Sequence, residues 1–349
     1  MGAYRPKTLN DLVGCEDIKK AVIMSITAAK QRNSAFPHTL LYASSGLGKT
    51  TLSNLIAKEM GGKFNVYLSN VFRGKEDVQN ALAESAIFDG YDDDGNKIDK
   101  IKPSIIFLDE IHQLSKRVQE SFFQAMEDFT FTVETKNPSN GKTKKEVLWV
   151  PEFTLIGATT KPGALDSAFI ERFKLKFTIQ LYTDEELIII LKMFCSENSL
   201  EIEQNALENI AKRARGVARK AINFIERVRD NALFSNQNNI ITNDIVDKTF
   251  DLLNIDDNGL ESLDKQILTY LYKIYPQKIG VNRLAGVFNM DEKVIKEIVE
   301  PYLLREELVE ATPSGRLLTE KGFIYCEKNG LVNTPETMEL GIRKRITNA

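Results

Sequence analysis

Two short stretches carry the residue types that nucleotide chemistry needs. The first reads Tyr42-Ala43-Ser44-Ser45-Gly46-Leu47-Gly48-Lys49-Thr50-Thr51; it follows the apolar run Leu40-Leu41-Tyr42 and leads into Leu52, Leu55, Ile56 and Met60. A strand, a glycine-rich turn and a helix in that order are the context of a phosphate-binding loop. In such a loop Gly46 and Gly48 let backbone N–H groups turn onto phosphate oxygens. Lys49 reaches the β- and γ-phosphates, and Thr50 sets its hydroxyl on Mg²⁺. Ala43 stands where a loop of this kind opens with glycine. If that position needs positive φ, alanine costs about 1–2 kcal/mol there; otherwise the change is silent. The second stretch, Ile105-Ile106-Phe107-Leu108-Asp109-Glu110, is an apolar run ending in two carboxylates, as expected of a buried strand whose carboxyl end meets a ligand. Successive strand residues face opposite sides, so Asp109 is expected to hold Mg²⁺ through water while Glu110 polarises the attacking water.

Further residues fit around these. Phe153-Thr154-Leu155-Ile156-Gly157-Ala158-Thr159-Thr160 reads as another buried strand ending in hydroxyls. Thr159 or Thr160 can orient the attacking water beside Glu110, and Thr159 is the candidate we carry forward. Arg172 follows Asp166-Ser167-Ala168-Phe169-Ile170-Glu171, and in a ring of subunits it can reach a neighbour's γ-phosphate. An arginine so placed is worth about 10³–10⁵ in rate in related nucleotidases. Gly216-Val217-Ala218-Arg219 starts a helix, from which Arg219 can swing over the phosphates as a lid closes.

The elements that position these residues follow from periodicity. Ile18, Val22, Ile26 and Ala29 mark a helix, Phe64 to Ser69 a strand and Glu76 to Phe88 a helix. Val118, Phe122, Ala125 and Met126 mark another helix, and Phe129 to Val133 with Val147 to Val150 form a β-hairpin tipped by Asn140-Gly141. Strands alternate with helices as far as Tyr182, and only helices follow from Thr183, which places a domain boundary there. A last unit begins after Asp256-Asp257-Asn258-Gly259, with helices over Leu260 to Ile274, Val281 to Phe288 and around Val294 to Val299. A small hairpin over Leu308 to Thr319 completes the outline of a winged helix. Its third helix is not basic, so Arg316 on the wing is the better candidate for a DNA phosphate.

Composition narrows the partners. Lys+Arg number 46 against Asp+Glu 49 in 349 residues, so the whole molecule is not a basic nucleic-acid binder and any DNA contact must come from a local patch. Three widely spaced cysteines, Cys15, Cys195 and Cys326, point to reduced thiols in a cytoplasmic setting rather than a disulfide frame or metal site. No run approaches a membrane span, and Met1 to Asn10 lacks an apolar signal core. The acidic stretch from Asp89 to Lys97 does not fit a calcium loop, because its first and twelfth ligand positions would be Gly90 and Ile101. It reads as a solvated surface loop.

With these pieces in order the sequence resembles the RuvB family, the AAA+ motors of Holliday-junction branch migration, from about Tyr4 to Tyr325. The matching residues are Arg5-Pro6, Gly46 to Thr51, Leu108-Asp109-Glu110-Ile111-His112, Ala125-Met126-Glu127-Asp128-Phe129, Phe153 to Thr160, Arg227-Val228-Arg229-Asp230, Glu300-Pro301-Tyr302-Leu303 and Thr312-Pro313. The resemblance implies a hexameric ring around duplex DNA. It implies Arg5, Asp128, Phe129, Tyr182 and Arg219 around the nucleotide, Arg172 acting in trans, Arg316 on DNA, and the 129–150 hairpin as the dock for the junction-recognising partner RuvA. The chain departs from the family at Ala43-Ser44-Ser45 (Gly-Pro-Pro in the family), Ile170 (Arg), Val217-Ala218 (Thr-Pro), and at Ala311 and Ser314 (wing arginines).

The expected fold is therefore an α/β P-loop AAA+ domain over 1–182, a parallel sheet with helices on both faces. A helical lid over 183–254, a winged helix over 255–326 and a tail over 327–349 follow it. The expected function is an ATP- and Mg²⁺-dependent ring motor that moves duplex DNA, in branch migration of four-way junctions. Two other readings stand beside it. A clamp loader or helicase loader is disfavoured by the terminal winged helix and by the lack of a Ser-Arg-Cys triplet around Arg172. An ATP-gated DNA-binding switch without sustained turnover would suit Ala43 and Ile170.

Overall fold

A computed structural model describes residues 6–85, 104–136, 143–235 and 240–332. Arg5, the acidic loop expected over 89–97, the hairpin tip Asn140-Gly141 and the tail beyond 332 lie outside the described residues. The chain divides into two compact units, Met1–Leu200 with Gly216–Asn223, and Glu201–Arg215 with Phe224–Ala349.

The first unit runs α1 (Glu16–Arg32), β1 (Thr39–Tyr42), α2 (Lys49–Met60), β2 (Lys63–Leu68), α3 (Lys75–Ser85), β3 (Ser104–Asp109), α4 (Lys116–Asp128), β4 (Thr130–Lys136), β5 (Thr143–Trp149), β6 (Phe153–Thr159), α5 (Ser167–Glu171), β7 (Leu175–Thr178) and α6 (Asp184–Glu197). Five strands form a sheet in the order β2-β3-β6-β1-β7, every pairing parallel. Because the strands are parallel, the ends of β1, β3 and β6 emerge on the same edge, where ligands bind in sheets of this kind. Register sets them level: Tyr42 pairs with Thr159, and Leu108 with Gly157. Ile105 to Leu108 and all of β6 are buried, which is why these strands read as continuous apolar runs. The hairpin appears as expected, β4 pairing antiparallel with β5. One strand of this sheet escaped the sequence: β7, beside β1, alternates half-buried and exposed residues over only four positions, too short a period-2 pattern to stand out.

The opposite edge of the sheet is tied by a buried histidine. His38 accepts the Leu155 N–H at Nδ1 (2.8 Å), and its Nε2 lies 3.2 Å from the Met126 carbonyl. It is therefore the Nε2–H tautomer that satisfies both contacts. Burial drives its pKa down to about 4, so the ring is neutral at pH 7.

In the second unit β8 (Glu201–Ile202) pairs parallel with β9 (Ile240–Ile241), beside α7 (Gln204–Arg213) and α9 (Asn243–Leu252); α8 (Ala218–Phe234) starts in the first unit and continues here. The winged helix comprises α10 (Ser262–Ile274), α11 (Val281–Val287), α12 (Glu292–Val294), a π-helical turn (Ile295–Val299), α13 (Glu300–Arg305), β10 (Val309–Thr312), β11 (Gly315–Leu318) and α14 (Glu320–Lys328). The expected third helix is thus interrupted where Pro301, lacking an N–H, cannot continue the regular ladder. Its core gathers Leu260, Ile267, Leu271, Ile295, Leu303 and Phe323. The three cysteines are free, and among the described residues no helix is long and apolar enough to cross a membrane.

Candidate nucleotide site

The loop after β1 is shaped by glycine. Gly46 and Gly48 sit at φ 84° and 86°, and Gly48 caps α2, where a side chain would be strained. Ala43 is not among the residues with positive φ. Its N–H donates to the Thr159 carbonyl at 3.2 Å, prolonging strand pairing, so alanine costs the loop nothing in backbone strain. Lys49 is buried, its Nζ donating to the carbonyls of Ala43 (3.0 Å) and Ser44 (3.2 Å). Burial pulls the ammonium below the ordinary lysine value, and the carboxylates of Glu110 and Asp109 oppose that shift. Thr50 and Thr51 follow in the first turn of α2. The unpaired N–H groups and positive dipole end of that turn favour an anion.

Across the loop, β3 ends at Asp109, and Glu110 lies outside the strand at φ 49°, ψ 49°. This corrects the expectation that strand alternation separates the two carboxylates: a left-handed turn aims Glu110. Its Oε2 accepts from the Thr160 hydroxyl (3.1 Å) and N–H (3.4 Å) and lies 3.1 Å from His112 Nδ1. That same nitrogen is 3.0 Å from the Thr159 hydroxyl, which also accepts the Lys161 N–H at 2.9 Å. Thr160 therefore touches Glu110 directly, and Thr159 meets it through His112. The Ile111 side chain of the turn Ile111–Gln113 packs closely over Gly157; a Cβ there would lie 2.5 Å from Ile111 Cδ1 and force it to shift.

Two more expected residues close on the loop. Arg219 donates from Nη1 to the Ser45 hydroxyl (3.3 Å), and its backbone N–H to the Gly46 carbonyl (3.4 Å). Ser45, a departure from the family pattern, thus supplies an acceptor that proline lacks. Tyr182 is buried with its hydroxyl 3.4 Å from the Leu47 carbonyl, and its pKa is pushed up to about 12, first by burial and then by Cys15 and Glu186. A reciprocal cap fixes its place in the chain: Thr183 N–H donates to Glu186 and Glu186 N–H to Thr183.

The site has relatives. A model of the Holliday junction DNA helicase RuvB P-loop domain matches residues 4–179. A protein of Pseudothermotoga lettingae named Holliday junction branch migration complex subunit RuvB is 39% identical, over 91% of this chain and 88% of that one. The chain belongs to the RuvB family. Models of the RuvB AAA lid and of the RuvB C-terminal winged helix match 182–256 and 257–327. The RuvB subunit of Thermotoga maritima is 37% identical over 93% of this chain and 92% of its own. The solved structure titled Thermotoga maritima RuvB Holliday junction branch migration motor superposes with a TM-score of 0.77 at 35% identity, covering 95% of this chain and 99% of that one. RuvB proteins are AAA+ ATPases that drive branch migration, and with that membership the loader and non-hydrolysing switch readings are set aside.

Not every residue assigned by resemblance to the RuvB site lies beside the loop of its own chain. Phe129 caps α4 and packs on His38 and Phe153, at the amino edge of the sheet. Phe153 opens β6 and Thr159 ends it, which sets Phe129 and the adjacent Asp128 roughly 20 Å of strand away from the loop. Neither therefore lies beside the phosphate loop of its own chain. Arg172 lies on that side too, just ahead of Leu175, which pairs with Thr39 at the start of β1. Its Nη2 contacts Glu127 at 3.1 Å, its guanidinium lies 5.3 Å from the centre of the Phe123 ring, and its buried Nε has no hydrogen-bond partner among the described residues. In the winged helix, Arg316 is held by both oxygens of buried Glu300 (2.5 and 2.9 Å). The wing cation expected to meet a DNA phosphate is thus paired within its own domain. Arg5 lies outside the described residues. Sequence reading gave His112 no role of its own; the signal it offered was a histidine two positions beyond the paired carboxylates.

Proposed function

We propose that Gly46 to Thr51, Asp109, Glu110 and Thr159 bind and hydrolyse ATP, with Tyr182 and Arg219 closing on the nucleotide, to power movement of duplex DNA through a ring of this chain. The observation that carries this is that buried Lys49 and the carboxylates of Asp109 and Glu110 share one edge of a parallel sheet, where those charges oppose the fall in the lysine's pKa. Lys49 lies among carbonyls that an incoming phosphate replaces as its partner. Glu110, fixed by Thr160, accepts a proton from the water that attacks the γ-phosphate. The exposed hydroxyl of Thr50 and the carboxylate of Asp109 are oxygen donors suited to Mg²⁺, which when bound offsets charge on the β- and γ-phosphates.

Arg172 stands at the other sheet edge, so an arginine finger must come from a neighbouring copy. Its companions Glu127, Asp128 and Phe129 belong to the same neighbour-facing group. A hexamer fits this reading, as do domains over 1–182, 183–254 and 255–326. The winged helix is the proposed DNA contact, with Arg316 reaching a phosphate by exchanging Glu300 for it. The β4–β5 hairpin is the proposed dock for a RuvA-type partner. A DNA substrate fits a cytoplasmic motor. A four-way junction supplied with a RuvA-type protein and ATP tests the whole: wild type converts it to duplex arms and Glu110→Gln does not. Failure of wild type to move the junction while it hydrolyses ATP would overturn the motor reading.

A further inference from the structure

We propose that His112 is a positioning residue for hydrolysis, holding the base Glu110 and the hydroxyl of Thr159 in one frame; this rests on the reading of Glu110 as the base. One ring nitrogen, Nδ1, lies 3.1 Å from Glu110 Oε2 and 3.0 Å from Thr159 Oγ1. Hydrogen-bond chemistry assigns the tautomer. With its hydrogen on Nδ1 the ring donates toward the carboxylate and shares the hydrogen with the threonine oxygen, whereas a bare Nδ1 would turn a lone pair onto the carboxylate.

The same assignment orients Thr159. Its oxygen accepts from the Lys161 N–H and from His112, so its own hydrogen points to a further acceptor. Thr159 and Glu110 are thereby coupled through a single imidazole. The backbone makes the arrangement specific to this position. Glu110 is held in a left-handed turn, Ile111 seats against Gly157, and the ring is mostly enclosed. The other histidine of the chain, His38, ties the opposite sheet edge.

Steady-state ATP hydrolysis by the full chain tests this, with binding of a fluorescent ATP analogue measured in parallel. An asparagine amide can place its N–H where Nδ1 stands, and a glutamine amide reaches past it. His112→Gln is expected to lower kcat about 10- to 100-fold, the scale of a lost hydrogen bond to a charged group, with KM for ATP and analogue binding within about two-fold. His112→Asn is expected to recover most of that loss. Adding Thr159→Val to His112→Gln should cost less than the product of the two single losses, because both act through one contact. Wild-type turnover by the glutamine variant would overturn the proposal. So would equal damage in the glutamine and asparagine variants, multiplicative losses in the double variant, or a change confined to KM. Wild-type turnover that survives Glu110→Gln would instead overturn the reading of Glu110 beneath it, which separates the two failures.

Discussion

Glu110 occupies a backbone conformation that strongly disfavours ordinary side chains, at φ 49° immediately after a buried strand. Strain of that kind costs of the order of 1–3 kcal/mol and persists where surrounding contacts over-determine it; here Thr160, His112 and the Ile111–Gly157 seat do so. Glu110→Gln keeps the shape and loses the proton acceptor. The variant is expected to bind ATP as tightly as wild type and to lose turnover by about 10²-fold or more, read by equilibrium binding beside a phosphate-release assay. The residue types Lys49, Thr50, Asp109 and Glu110 were legible because each has a fixed chemical duty at a fixed spacing. The aim of Glu110 was not, since the alternation rule assumes a strand that continues and this one stops at Asp109. His112 was hidden for a different reason: its partner Thr159 lies 47 positions away and is brought near only by strand pairing.

At the scale of elements, β1, β3 and β6 announced themselves as apolar runs, and their parallel pairing alone assembles the site. β7 and the π-helical turn were illegible, the first for brevity and the second because one proline disturbs a helix without erasing its apolar period. The amino edge of the sheet hangs on neutral His38, whose pKa of about 4 lies below the ordinary 6.5. The unfolded chain therefore binds this proton first. His38 contributes its full stability above pH 6.5 and loses it as pH falls toward 4, a change of about 3 kcal/mol. Denaturant titrations between pH 7 and 4.5 should show that fall in wild type and a shallower one in His38→Gln. In the winged helix, Arg316→Ala would leave Glu300 buried and unpaired. It should destabilise by about 3 kcal/mol in a denaturation experiment, a larger effect than the one on DNA affinity measured at the same salt.

Over the whole molecule, the class of machine and an arginine acting between copies were legible from motif order, whereas the side of the sheet that carries Asp128 and Phe129 needed coordinates. Arg172 reads from sequence as acting in trans and Asp128 as lying around the nucleotide; the sheet sets both at its opposite edge from Lys49, Arg172 beside Glu127 and Phe123. The hairpin shows a second outward-facing feature, Trp149 and Val147, 81% and 59% exposed. Trp149→Ser should weaken stimulation by a RuvA-type partner while leaving the partner-free ATPase rate unchanged, compared in one assay with and without that protein. The proposed ATP site is completed by a neighbouring copy, and mixing two inactive variants tests that most directly. Glu110→Gln lacks a base but keeps its finger; Arg172→Ala lacks the finger but keeps its base. Each alone should be close to inactive, and equal mixtures allowed to exchange subunits should regain ATP turnover at interfaces that join one intact half from each. Mixtures no more active than the separate variants, or an Arg172→Ala protein as active as wild type, would contradict it.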